Sequence, residues 1–121
     1  MRRMFTIFIA LAVLTPLNAT AQERMSDQRY LAASECLAYG DLPSLSGDPV
    51  DLSGLRTAVG EGFRSQAIAG EARDQTRRVR ARANGMARSE SGLAELRERR
   101  DVACASFVER GLVQVGGSGA S

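Results

Sequence analysis

The chain opens with an apolar run, Phe5 to Leu14, that has Arg2 and Arg3 ahead of it and Pro16 behind. Helical periodicity begins further on. Ser26 is placed to cap a helix running to about Tyr39, with Gly40 as the stop residue. Tyr30, Ala33 and Leu37 recur at i, i+3 and i+7, and Leu31 and Ala38 widen the stripe. Residues 41–51 carry loop residues, namely Pro43, Ser44, Ser46, Gly47 and Asp48-Pro49. Leu42, Leu45 and Val50 are expected to fold back over one end of the core. A second helix, capped by Asp51 or Ser53, places Leu52, Leu55, Val59 and Phe63 on one face. Gly60 and Gly62 weaken it by about 1 kcal/mol each relative to alanine.

Ile68, Ala72, Thr76, Val79, Ala83 and Met86 form the next stripe, about half a turn around from Leu55, Val59 and Phe63. That offset predicts a break near Gly70; one long helix that switches its buried face midway is the alternative. Asn84-Gly85 is the expected end, because glycine tolerates a left-handed cap. The last helix starts at Ser89 or Ser91, turns Leu93, Leu96, Ala103 and Phe107 toward the core, and stops at Gly111. Leu112 to Val115 packs briefly, and the Gly/Ser-rich residues 116–121 are expected to form a flexible tail. No alternating stretch exceeds the four residues near Val113, and no segment repeats. The pattern predicts an all-α fold, a small bundle of three or four helices.

The N-terminal run reads as a cleaved export signal. Ala19 and Ala21 supply the small residues that signal peptidase needs, which places cleavage before Gln22. A retained anchor is disfavoured, since a bilayer span needs about 20 apolar residues. No cysteine directly follows the run to carry a lipid. The expected organisation is 1–21 signal, 22–115 helical bundle domain and 116–121 tail, in a bacterial periplasm, with secretion as the alternative.

Processing changes the charge balance. Without Arg2 and Arg3 the chain has 14 arginines against 14 acids, and it contains no lysine, histidine or tryptophan. Cys36, in the first helix, and Cys104, in the last, are expected to form a disulfide in an oxidising compartment. Closing a loop of nearly 70 residues stabilises a fold by about 4 kcal/mol. The chain needs such a staple, because after processing only Tyr30, Tyr39, Phe63 and Phe107 are aromatic. A redox-active pair is the rival reading, but there is no C-x-x-C and no histidine to lower a thiol pKa. Pivoting antiparallel first and last helices on this bridge places Arg100 near Gly40, within reach of Asp41 and the Tyr39 ring. Arg100 falls inside the apolar stripe of its helix, so an ion pair or ring contact is expected, with snorkelling to solvent as the alternative.

Arg73, Arg77 and Arg80 share a helix face at i, i+4 and i+7, with Arg78 and Arg82 beside them. Residues 71–88 carry a net +4 and residues 23–51 a net −4, so the sequence is neutral but polar end to end. Three readings of the arginine face stand. It is a solvated surface with Asp74–Arg78 as an i,i+4 pair, a docking surface for an acidic protein, or a site for anionic envelope components such as lipid A phosphates. Nucleic acid is disfavoured, because no aromatic residues interleave with the arginines for stacking.

Composition excludes much chemistry. Without histidine no Ser-His-Asp or Cys-His arrangement can be built, and two distant cysteines make no zinc site. Gly60-Glu61-Gly62 lacks the surroundings of a phosphate loop. The acid pairs Glu95/Glu98 and Glu90/Glu95 sit among arginines, where ion pairing is the expected role. No catalytic residue, cofactor or metal is therefore expected. In size, helical content, export signal and single long-loop disulfide the chain resembles in architecture the acid-stress chaperones of the bacterial periplasm, although Ser34-Glu35-Cys36-Leu37-Ala38-Tyr39 matches no signature of theirs. The expected function is an exported, non-enzymatic protein-interaction module docking on another envelope protein. An acid chaperone loosened by protonation of its 14 carboxylates, and a binder of anionic envelope components, are the alternatives.

Overall fold

In the computed structural model, which describes residues 25–115, each main helix starts at a serine. The Ser26 hydroxyl accepts from the Arg29 amide (3.2 Å) and starts α1, Asp27–Gly40. Ser65 accepts from the Ile68 amide (3.3 Å) and starts α3, Gln66–Met86. Ser89 accepts from the Gly92 amide (3.0 Å) and starts α4, Glu90–Glu109. Each cap satisfies one of the amides that the first helical turn leaves unpaired. The short α2, Ser53–Gly60, is started differently: the Asp51 carboxylate accepts from both the hydroxyl (2.6 Å) and the amide (2.9 Å) of Ser53. Those two bonds, the hydroxyl first, hold the Asp51 carboxyl below its ordinary value.

The helices pack as the small all-α bundle that the periodicity predicts. α1 is central and touches α2, α3 and α4, while α3 also touches α4. One core cluster gathers Met25, Ala33, Cys36, Leu52, Leu55, Cys104, Phe107 and Val113. A second gathers Ala38, Tyr39, Leu42, Leu45, Val79, Ala83 and Leu96. Rising numbers on α1 meet falling numbers on α4, so these two helices are antiparallel. Cys36 and Cys104 are disulfide-bonded across that seam, with their Cα atoms 4.8 Å apart. A 3-10 turn, Pro43–Leu45, brings Leu42 and Leu45 over the second cluster. Two-residue strands, β1 (Val50–Asp51) and β2 (Gln114–Val115), pair antiparallel and hold the segment after α4 beside the start of α2. At the end of α4, Gly111 adopts φ 75°, and Leu112 N–H donates to Phe107 C=O (2.9 Å). This left-handed cap turns Val113 into the core.

Several boundaries differ from the periodicity reading. The break lies at residues 61–65, not near Gly70, because Gly62 takes φ 92° and Ser65 caps the next helix. Phe63 therefore leaves the Leu52–Leu55–Val59 face and stands 79% exposed. α3 ends at Met86, one residue past the expected Asn84-Gly85 stop, and Gly85 does not take the left-handed cap conformation, since Ala87 caps the helix in a right-handed one. Gly40 is the last residue of α1, and its lack of a side chain serves packing: a Cβ there would lie 2.6 Å from Leu52 Cδ1. Asp74 pairs with Arg77 at i,i+3, not with Arg78. The expected signal residues Ala19, Ala21 and Gln22, and the tail 116–121, lie outside the described residues.

Arg100 is buried and ion-paired, but not with the expected partners. It donates through Nη2 to Asp48 (2.9 Å) and Asp101 (3.2 Å), and through Nη1 to the Asp48 carbonyl. The loop after α1 folds across α4 and so presents Asp48 first. Asp41 instead binds Arg56 of α2, and that hydrogen bond holds the guanidinium more firmly in its charged form. The Tyr39 hydroxyl accepts from Arg82 (3.0 Å). Arg100→Met keeps the buried stem and removes these bonds. It is expected to cost about 1–3 kcal/mol in urea unfolding, whereas Asp101→Asn, at an exposed carboxylate, costs under about 1 kcal/mol.

Candidate interaction surface

The seam between α1 and α3 is closed where small side chains meet and open beside them. Ala72, Val79 and Ala83 turn into the bundle, while Arg73, Arg77 and Arg80 stay exposed along the same helix. α2 stops at Gly60, so its last apolar side chain, Val59, marks one end of an uncovered groove of about 660 Å³. Tyr30, Ser34 and Leu37 of α1 face Ala69, Ala72 and Thr76 of α3 across it, and the three arginines form its rim. Of the three hydroxyls in the lining, two are engaged within their own helices: Ser34 donates to the Tyr30 carbonyl (3.0 Å) and Thr76 to the Ala72 carbonyl (3.1 Å), which leaves the Tyr30 hydroxyl to the groove. The floor is thus mostly apolar, with the Tyr30 hydroxyl as its open polar group, and the rim cationic. Arg77 is paired with Asp74, and among the described residues Arg73 and Arg80 have no ion-pair partner.

One end of this groove is fixed by a residue that sequence reasoning did not single out. The Arg64 guanidinium lies 4.8 Å from the centroid of the Tyr30 ring and also binds Asp27 (2.9 Å) and the Met25 carbonyl. These contacts tie the linker between α2 and α3 to the start of α1 and hold the Tyr30 ring in place. Nothing in the pattern marks Arg64, because its hydrogen-bond partners are 37 and 39 residues away.

Two other hollows are chemically different. One, of about 590 Å³, mixes Glu35, Glu95 and Glu98 with Arg82 and Arg99. Two of its charges pair directly: Arg99 donates to Glu95 (2.9 Å), and that bond strengthens the hold of the guanidinium on its proton. The other, about 340 Å³, is walled by Val50, Val108, Val113 and Val115, with the Arg100–Asp48 pair at one side. Cys36 and Cys104 are both buried, and their sulfurs are fully engaged in the bond between them.

No family model, curated protein or solved structure matches this chain. Among the described residues no three His, Cys, Asp or Glu side chains converge as metal ligands, and no helix is long and apolar enough to cross a membrane.

Proposed function

We propose that this protein is an exported, non-enzymatic interaction module of the bacterial envelope that docks an acidic partner protein in the α1–α3 groove. The observation that carries this reading is the pairing of three rim arginines with an apolar floor. Arginine and apolar surface together make strong protein–protein contacts, with the floor excluding water and the rim selecting charge. A binder of anionic envelope polymers would use the rim but leave the floor without a role. An acid chaperone would rest on carboxylate content, which is spread over the whole chain. The disulfide accords with an oxidising compartment such as the periplasm.

Reversing the rim charge tests the reading. R73E/R77E/R80E is expected to keep the parent stability within about 0.5 kcal/mol for each exposed site, because all three side chains are exposed. It is also expected to weaken partner binding at least tenfold, read by co-purification and by titration of the purified pair. Binding that survives all three reversals would exclude this face.

A further inference from the structure

The groove also specifies the conformation of what fills it, an inference that rests on the docking reading above. Its two long walls are helices, α1 and α3, whose backbone amides and carbonyls are taken up within each helix. The Ser34 and Thr76 hydroxyls are spent on carbonyls of their own helices. Apart from the Tyr30 hydroxyl and the rim guanidiniums, the walls offer an extended peptide no partner for its backbone amides and carbonyls, and burying those groups unpaired is costly. An occupant that satisfies its own backbone avoids this penalty. The small, half-buried Ala69 allows a helix to approach closely. The rim repeats at i, i+4 and i+7 along α3, a span of about 10 Å at 1.5 Å per residue. Carboxylates at the same intervals on a neighbouring helix match that repeat, whereas three alternate residues of a strand span about 13.6 Å and overrun it by about 3 Å.

We propose that the groove receives an amphipathic α-helix of the partner, with acidic residues at i, i+4 and i+7 along one edge and small apolar residues facing Leu37, Val59 and Ala69. This is helix-in-groove recognition, in which the α1–α3 seam gains a helix on the side where the short α2 stops.

The test titrates the oxidised, 15N-labelled full chain with three synthetic probes of equal charge. The first peptide is helical, with Glu at i, i+4 and i+7 and an Ala/Leu face. The second is the same peptide with a central proline, and the third has its glutamates scattered around the helix. The expected result is that the first shifts the Ala69, Ala72 and Thr76 amides, gains helicity in circular dichroism, and binds at least tenfold more tightly than the other two. Equal binding of the helical and proline peptides, both lost in R73E/R77E/R80E, would overturn the helical occupant while leaving the acidic docking site standing. Absence of binding by all three peptides at millimolar concentration, or shifts produced only by phosphatidylglycerol vesicles, would overturn the docking reading itself.

Discussion

Replacing both cysteines, Cys36→Ala with Cys104→Ala, is expected to lower the free energy of unfolding by about 4 kcal/mol. The bridge spans a sequence separation of 68 and joins the central helix α1 to α4. Without it the unfolded chain regains the freedom of that entire loop. Little else in the first cluster compensates: Phe107 is its only aromatic residue, and Ala33 and the cysteines themselves occupy the α1–α4 contact. A small domain has about 5–15 kcal/mol in total, so the loss is a large share of its stability. Urea unfolding followed by circular dichroism should show the same deficit for the variant and for the reduced parent. Variant stability within about 1 kcal/mol of the oxidised parent would mean that side-chain packing, not loop closure, holds the bundle.

Gly92→Ala is expected to destabilise the protein by about 2–4 kcal/mol, in the upper range for a single substitution. The turn from α3 into α4 is short, and an added Cβ at residue 92 would stand 1.7 Å from the Met86 carbonyl oxygen and 2.6 Å from its carbon. The obstacle is backbone, so no side-chain rotation relieves it. The end of α3 must move away from the start of α4, and with it the Val79, Ala83 and Leu96 contacts of the second cluster. Gly85→Ala supplies the control. Residue 85 lies within α3, and an added methyl there would meet nothing within 4 Å. Alanine at that position should therefore add about 0.5–1 kcal/mol through helix propensity. Thermal and urea midpoints of the two variants should move in opposite directions.

The contrast between these glycines shows what periodicity can and cannot reveal. A glycine in a sequence reads as punctuation, yet Gly70 is interior to α3, where tertiary packing outweighs a propensity cost of about 1 kcal/mol. Gly111 does end its helix as expected, with its left-handed φ of 75° and the Leu112 amide returning to Phe107. Gly92 and Gly40 are required by neighbours distant in sequence or across a turn, which no local pattern encodes. The serine caps at Ser26 and Ser89 are visible in the sequence because capping is local chemistry.

The same distinction applies to the charged residues. Helical spacing alone places Arg73, Arg77 and Arg80 on one face of α3, and the structure keeps them together at one rim. Spacing cannot place Tyr30 and Leu37 opposite them, since that depends on how α1 lies against α3. The buried position of Arg100 follows from its apolar stripe, and so does the need for a partner. The identity of that partner, Asp48, depends on the path of a loop with no periodic signal.

The most direct test of the docking account is a reciprocal charge exchange guided by site-specific photocrosslinking in the envelope. A crosslinker at Thr76 samples the groove floor, and one at Val102, which is 73% exposed on α4 beside a different hollow, serves as the control. The account predicts one partner captured from Thr76 and not from Val102, lost in R73E/R77E/R80E, and regained when the facing carboxylates of that partner are changed to arginine. Equal capture from both positions, or capture that persists after charge reversal, would contradict it.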